Sequence, residues 1–318
     1  MSTPGATAFT HRAQRLGGWA VFGPAALTAW VVGALPWIVS GLRLEISEAW
    51  PSLPPGGTPR VALPFGEYAF QPLVVVGVIG GAAAVGVSLL ARRGTSRPRL
   101  IAAGGGLLGL TVALVQTVLV VKGALAVRSE ARLLVVALVA VVLVATVLGT
   151  LTGAGLVARR GWAWVLGAAL VSALVGPWLN DLVHRAPASD GAWTSAVTQW
   201  HPWLGGALLG FALAVDGLRT MGRLAVWIGA LALLWVVPAA LIALNYVTYY
   251  GTHQKLGPGV VAEVLDAGRD VFVAALAPGV RTFGPVVLAA MIGTAAVLGR
   301  SLRPRGEGRA DPAASSAD

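Results

Sequence analysis

The sequence predicts an all-α integral membrane protein with eight transmembrane helices, arranged as two tandem four-helix repeats of the same orientation. Three observations support this fold class. Apolar residues make up 56% of the 318 residues and charged residues only 11%, whereas about a quarter of the residues in a typical soluble domain are charged. The apolar residues are concentrated in eight long stretches. The last four stretches repeat landmarks of the first four in the same order.

The eight spans follow from the length that a bilayer requires, because a hydrocarbon core about 30 Å thick needs about 20 apolar residues per helix. The first stretch is too long for the apolar part of a signal peptide, and no small-residue cleavage site follows it. The sixth and eighth stretches are short, and the eighth contains Pro285. The predicted spans are Trp19–Leu42, Gln71–Ala91, Leu100–Val121, Leu133–Ala158, Trp162–Leu182, Pro202–Leu218, Leu224–Val247 and Gly284–Leu298.

The charge pattern predicts an orientation in the membrane and argues against a nucleic-acid partner, although the formal net charge is +10. An inner N-terminus places 14 of the 23 basic residues but only 4 of the 13 acidic residues on one side, as the positive-inside rule requires. Both termini are therefore predicted to be cytoplasmic, and the lipid bilayer is the expected partner. The basic residues are almost all Arg, and Ala, Gly and Val are abundant. This bias indicates a GC-rich bacterial genome and hence a multi-pass protein of the plasma membrane.

The non-membrane segments complete the predicted organisation. Residues 1–16 form a cytoplasmic N-terminal tail, residues 17–159 the first repeat, residues 160–302 the second repeat, and residues 303–318 a disordered cytoplasmic tail. Within the second repeat, residues 259–276 have helical periodicity with one apolar and one acidic face. This segment is predicted to lie on the outer membrane surface or to cap the bundle.

The internal repeat is predicted from Trp and Pro residues, which composition alone does not place in the same order twice. Four spans are an even number, so the two copies would have the same orientation and be related by an axis along the membrane normal. The matched landmarks are Trp19 with Trp162, Pro36-Trp37 with Pro177-Trp178, Ala49-Trp50 with Ala192-Trp193, and Pro72 with Pro202.

The Pro–Trp pairs are the first candidate binding site. Pro36 and Pro177 each remove a backbone hydrogen bond inside a span and leave a carbonyl free. Interrupted helices at matching positions of two repeats are the best sequence indication of a transporter site. Trp37 and Trp178 follow these prolines. The alternative is an ordinary proline kink beside a Trp at the outer headgroups.

Three polar residues complete the candidate site. Gln116 and Asn245 lie within bilayer reach at nearly equivalent repeat positions, and Asp181 lies at the outer end of the fifth span. An amide in hydrocarbon generally finds a partner on another helix, so a structural role is the alternative for both amides. The scarcity of charge inside the spans disfavours a strongly ionic ligand, because burying an unpaired charge is costly.

A divalent metal site is a second hypothesis. Imidazole and carboxylate groups are suitable ligands, and the outer side is predicted to carry Asp181, His184, His201 and His253. Their spacing matches no established metal motif. The chain has no Cys, so thiolate ligands and disulfides are excluded. No other cofactor is predicted.

Other motifs do not identify a reaction. Gly104-Gly105-Gly106-Leu107-Leu108-Gly109 spells a dinucleotide fingerprint, but it lies in a span with no strand before it. The sequence contains no phosphate-binding loop, no nucleophile elbow and no His-Glu-x-x-His motif. The chain is therefore predicted not to use nucleotide hydrolysis of its own as an energy source, and a non-enzymatic role is favoured.

Three functions stay open at the level of the sequence. The leading one is a transporter-like protein that binds or moves a small or lipid-like, weakly charged solute at the repeat interface. The alternative is a non-catalytic membrane subunit or scaffold for a membrane or cytoplasmic partner, such as an ATPase or a cell-envelope enzyme. The third is a metal-dependent membrane enzyme that acts at the outer face.

Overall fold

The computed structural model describes residues 6–44, 58–91, 97–123, 129–158, 161–186, 191–218, 220–253 and 258–302. These residues form ten α-helices and no strand; a single β-bridge joins Arg43 to Arg60. A short 3-10 turn, Val87–Leu90, extends the third helix. The helices are α1 Ala6–Gly33, α2 Leu35–Val39, α3 Phe70–Gly86, α4 Pro98–Lys122, α5 Ser129–Ala158, α6 Trp162–Arg185, α7 Gly191–Asp216, α8 Met221–His253, α9 Pro258–Leu276 and α10 Gly284–Ser301.

Among the described residues, six segments are long and apolar enough to cross a membrane, and these indicate an all-α polytopic membrane protein. The apolar part of α1, Trp19–Gly33, is shorter than these six, and α7 is not among them. Many large apolar side chains on the outside of the bundle are exposed, such as Leu151 on α5 and Phe211 on α7. Such side chains are expected to face lipid. The six segments are Phe70–Leu90, Pro98–Lys122, Ala131–Ala158, Trp162–Arg185, Met221–Tyr250 and Gly284–Ser301.

Several helix boundaries differ from the sequence prediction, and two of the differences involve a proline. The first predicted span is broken at Ala34 into α1 and α2, with Pro36 in the first turn of α2, where proline is favoured. The predicted sixth span begins at Pro202, but α7 begins at Gly191 and contains Pro202 in its interior. Helix α1 also begins at Ala6, inside the segment predicted as a tail. The predicted tail 303–318 lies outside the described residues.

The first half of the bundle, α1 to α5, is held together by small residues. Helix α1 packs on α3 and α4, and α3 packs on α5. Glycines lie where α3 and α5 cross, and a β-carbon added to Gly81 would be 2.8 Å from the amide nitrogen of Thr150. Without a hydrophobic force between helices in lipid, close van der Waals packing at small residues is a main source of association.

The second half, α6 to α10, has corresponding neighbours. Helix α6 packs on α7 and α8, and α7 packs on α10. Here Gly206 approaches the backbone of Pro285, and Gly210 approaches Ala289. The two halves meet where α6 contacts α2, α3 and α5, and where α3 contacts α8.

One end of the bundle, which we call the loop end, carries the chain between α2 and α3 and the turn between α9 and α10. Residues 58–69 fold back into the first half, where Leu63 and Phe65 are completely buried. Indole groups hold this segment, since Trp30 donates from Nε1 to the carbonyl of Ala62 at 3.0 Å. The proline-rich segment is therefore ordered by packing in its described part.

At the opposite end, arginines satisfy the last carbonyls of helices. Arg99 Nη2 donates to the carbonyl of Val157 on α5 at 3.3 Å, and Arg300 Nη2 donates to the carbonyl of Ala214 on α7. Cations at helix C-termini also complement the helix dipole. Some of the basic residues predicted on the inner side thus have a structural role.

Helix α9 occupies the segment for which the sequence predicts an amphipathic helix, and it packs along α8. The contact face includes Val264 and Ala275, which are buried, and Gly268, which approaches Val247. Val261 and Leu265 stay exposed. Only part of the predicted apolar face is therefore covered by α8.

Candidate functional site

The second Pro–Trp pair contacts the end of α1, just before the first pair. Trp178 donates from Nε1 to the carbonyl oxygen of Val32 at 3.0 Å, across the junction between the two halves. Val32 lies four residues before Pro36, so its carbonyl is the one that Pro36 leaves without a helical partner. The indole of one half thereby satisfies the proline break of the other half.

The first Trp has a different role. Trp37 is buried and donates from Nε1 to the carbonyl of Val61 at 2.9 Å. The guanidinium of Arg185 lies over the Trp37 ring, 5.3 Å from its centroid. Arg185 also donates from Nε to Oδ1 of Asp181 at 2.7 Å, one helical turn away. Asp181, Arg185 and Trp37 therefore form one cluster that joins α6 to α2 at the loop end.

Asn245 on α8 reaches across the same junction. Its Nδ2 donates to Oε1 of Gln71 on α3 at 2.6 Å. Its Oδ1 is buried and has no hydrogen-bond partner among the described residues. An unsatisfied buried acceptor costs about 1–3 kcal/mol, and it is the kind of group that a bound molecule can satisfy.

These residues surround one cavity, which we call the interface cavity. Its volume is about 180 Å³. It contains six of the seven residues that the sequence singled out as binding candidates. The lining residues are Gly33, Pro36, Trp37, Pro64, Tyr68, Gln71, Pro72, Val75, Val76, Pro177, Trp178, Asn180, Asp181 and Asn245.

The interface cavity, at about 180 Å³, is small beside ligand pockets in general, which measure about 300–1,000 Å³. Its wall is mixed. Apolar side chains such as Val75 and Val76 come from α3, while amide and carboxylate groups come from Gln71, Asn180 and Asp181. Because Asp181 is paired with Arg185, the cavity has little uncompensated charge.

Gln116, the seventh binding candidate, lies away from the interface cavity and holds the loop. Its Oε1 accepts from the amide of Ala62 at 2.8 Å, and its Nε2 donates to the carbonyl of Arg60 at 3.1 Å. The neighbouring Thr117 Oγ1 accepts from the amide of Leu63 at 3.0 Å. The side chains of Gln116 and Thr117 on α4 thus form hydrogen bonds with the backbone of residues 60–63, as an adjacent β-strand would.

Three of the four metal candidates, Asp181, His184 and His201, have described side chains. Among the described residues, no three His, Asp or Glu side chains are close enough to share an ion. Asp181 is paired with Arg185, and Nδ1 of His184 lies 2.8 Å from the carbonyl of Asn180. His201 borders a different cavity. The side chain of His253 lies outside the described residues, so the metal hypothesis that includes it stays a prediction.

That different cavity, which we call the Arg281 pocket, was not predicted from the sequence. It measures about 330 Å³ and adjoins the interface cavity at Gln71, Pro177 and Asn180. Its polar wall includes Arg281 and His201. Nδ1 of His201 is buried and has no hydrogen-bond partner in the described part of the chain. One feature of the sequence indicated this pocket: Arg281 lies three residues before the apolar stretch that begins at Gly284.

Arg281 is held in place by Trp235 on α8. The guanidinium lies over the indole ring, 4.6 Å from its centroid, and Nη1 donates to the carbonyl of Trp235 at 2.9 Å. Trp235 in turn donates from Nε1 to the carbonyl of Leu276 at 3.2 Å. Burial lowers the pKa of Arg281 from its ordinary value, because desolvation disfavours the charged form.

Comparisons of this chain with known protein families, with curated proteins and with solved structures find no match. The function must therefore be argued from the geometry of the chain itself.

Proposed function

We propose that this chain is a transporter-like membrane protein that binds or moves a small, weakly charged solute in the interface cavity. The observation that carries the proposal is the convergence of both Pro–Trp pairs on one cavity that also contains an unsatisfied buried acceptor, Oδ1 of Asn245. The first span is broken before Pro36, whereas α6 continues as one helix through Pro177. A broken helix at the junction of two halves is typical of transporter sites.

The size and charge of the cavity define the solute class. A volume of about 180 Å³ admits a molecule of few heavy atoms and excludes a whole lipid. The pairing of Asp181 with Arg185 leaves no free charge that would compensate an ion. Oδ1 of Asn245 favours a solute with a hydrogen-bond donor, such as a hydroxyl or an amide. The expected substrate is therefore small, polar and uncharged or weakly charged.

The same proposal includes the architecture. Eight spans in two repeats of the same orientation are supported by the corresponding neighbours in the two halves, since α1 contacts α3 and α4 as α6 contacts α7 and α8. Likewise, α3 contacts α5 as α7 contacts α10. In this arrangement α1 with α2 forms the first span and α7 the sixth, both termini are cytoplasmic, and the membrane is the bacterial plasma membrane.

Alternating access is testable because the chain contains no Cys. A single cysteine in the cavity wall, Val75→Cys, changes the volume of the side chain little and provides one thiol. In proteoliposomes of known orientation, a membrane-impermeant thiol reagent is expected to label this cysteine from either face, because a transporter exposes its site to both sides in turn. The rate of labelling from each face is measured by mass spectrometry of the intact protein.

The matched control is Leu143→Cys on α5, an exposed apolar position that is expected to face lipid. It should be labelled from neither face. Labelling of Val75→Cys from one face only, both without a solute and in the presence of each candidate solute tested, would contradict transport. That result would favour the alternative of a non-catalytic membrane subunit, and a stoichiometric protein partner in native membranes would then identify its role.

A further inference from the structure

The strongest feature outside the interface cavity is the charge in the Arg281 pocket. Arg281 has five N–H donors, and the hydrogen bond from Nη1 to the carbonyl of Trp235 uses one of them. No carboxylate pairs with its guanidinium in the part of the chain that the structure describes. A half-buried guanidinium that is oriented by a ring and lacks a counter-ion is suited to an anionic group from outside the chain.

One further feature makes this end of the pocket positive. Helix α10 begins at Gly284, three residues after Arg281, and helix N-termini carry a partial positive charge that favours anions. The amide of Gly284 donates to Thr282 Oγ1 at 3.3 Å and Pro285 has no N–H, so the helix dipole contributes here and not a free amide. Since both Arg281 and Thr282 line the Arg281 pocket, the start of α10 and the guanidinium face the same space.

The Arg281 pocket adjoins an apolar groove between α8 and α10. The two share Trp235 and Val286, and the groove measures about 880 Å³. Trp235 and Phe283, in edge-to-face contact with ring centroids 4.9 Å apart, lie at the start of the groove. Further along, its wall includes Ile228, Met291 and Leu298. The groove contains no charged side chain among its lining residues.

We propose that the Arg281 pocket and the groove together bind a membrane lipid with an anionic phosphate headgroup. The phosphate accepts hydrogen bonds from Arg281, and an acyl chain lies along α8 and α10 in the groove. Charge complementarity selects the headgroup, because basic pockets between transmembrane helices bind anionic lipids. The position of a cationic pocket beside an apolar groove, with Trp235 and Val286 in both walls, selects a lipid over a soluble anion, which would leave the groove unused. The inference does not depend on the solute of the interface cavity.

The test is native mass spectrometry of the full-length protein in mild detergent, titrated separately with phosphatidylglycerol and with phosphatidylcholine of the same acyl chains. Wild-type protein is expected to bind one phosphatidylglycerol about 10- to 100-fold more tightly, because the choline ammonium of phosphatidylcholine offsets the charge of its phosphate and is repelled by Arg281. Equal affinity for the two lipids would overturn the proposal, and that comparison requires no variant.

Variants then assign the headgroup to Arg281. Arg281→Gln is expected to lower the affinity for phosphatidylglycerol to that for phosphatidylcholine. The matched control, Arg269→Gln on α9, removes an exposed arginine and should leave the preference unchanged. If Arg281→Gln does not fold, Arg281→Lys keeps the charge and is expected to retain the preference with weaker binding. A preference that persists in Arg281→Gln, or that disappears in Arg269→Gln, would contradict the assignment.

The source of the anion is tested by two more measurements. Ala290→Phe narrows the groove and is expected to weaken binding of long-chain phosphatidylglycerol while leaving a short-chain analogue unaffected. Inorganic phosphate at millimolar concentration is expected neither to stabilise the protein against heat nor to displace the lipid. Displacement by inorganic phosphate, or equal effects of Ala290→Phe on both chain lengths, would show that the pocket takes a free anion and would overturn the lipid proposal.

Discussion

At the scale of single residues, the junction between the halves depends on carbonyls that prolines leave free. The carbonyl oxygen of Val32 accepts a hydrogen bond from the indole of Trp178 in the other half. A residue with a backbone N–H at position 36 would have donated to this carbonyl instead. We therefore expect Trp178→Phe to lower the free energy of unfolding by about 1–3 kcal/mol, the cost of an unsatisfied buried acceptor. Denaturant titration in detergent micelles, followed by circular dichroism, measures this change.

The control for this prediction is a double-mutant cycle with Pro36→Ala, which restores an N–H four residues after Val32. In that background Trp178→Phe should cost clearly less, because the carbonyl regains a helical partner. Trp162→Phe removes an exposed indole and should have almost no effect. Equal costs of Trp178→Phe with and without Pro36 would mean that the indole acts by packing alone.

Residue types also explain which of the predicted binding residues lie around one cavity. Pro–Trp pairs and a lone amide are visible in a sequence because they are unusual inside apolar spans, and six of the seven binding candidates line one cavity. Gln116 shares that signal but pairs with the backbone at Arg60 and Ala62, and no periodicity shows a contact between segments more than 50 residues apart. Gln71 was missed because its role depends on Asn245, 174 positions later.

At the scale of helices, the apolar stretches identified the helices well but not their ends. Hydropathy reports which residues can lie in lipid, whereas a helix continues into water as long as its backbone bonds are satisfied. For this reason α8 runs to His253 and α7 begins at Gly191, beyond the apolar stretches. The sequence predicts that helices pack closely at small residues, but it does not show which helix is the partner.

The crossing of α3 and α5 gives a prediction at this scale. A β-carbon on Gly149 would be 2.6 Å from the carbonyl oxygen and 2.7 Å from the α-carbon of Val78, closer than atoms of two backbones can approach. Gly149→Ala is therefore expected to separate the helices and to lower the free energy of unfolding by about 1–3 kcal/mol, as overpacking of a well-packed core does. A fall in melting temperature of the purified protein checks this.

Gly23→Ala on α1 is the matched control, because a β-carbon there has no atom within 4 Å. It should leave the melting temperature unchanged or raise it slightly, since Ala has the higher helix propensity. If both substitutions have the same effect, glycine contributes through backbone flexibility and not through the close approach of α3 to α5.

At the scale of the whole molecule, two topologies differ in whether α7 crosses the membrane. Six segments satisfy the length and hydropathy of a span, and α7 does not, yet α7 has the same neighbours in its half as α3 has in the first half. If α7 crosses the membrane, Ser195 near its start and Thr220 just beyond its end lie on opposite faces. We expect Ser195→Cys to be labelled by an impermeant thiol reagent only from outside the cell, and Thr220→Cys only from the cytoplasm.

The outcome bears on the repeat as well as on the topology. Phe211→Cys, at an exposed apolar position in the middle of α7, should be labelled from neither face and so separates burial in lipid from exposure to water. Labelling of Ser195→Cys and Thr220→Cys from the same face would place α7 at the membrane surface. The second half would then have an odd number of spans, and its orientation could no longer match that of the first half. The interface cavity would then lie between two unlike units, and Trp37 and Trp178 would not be equivalent.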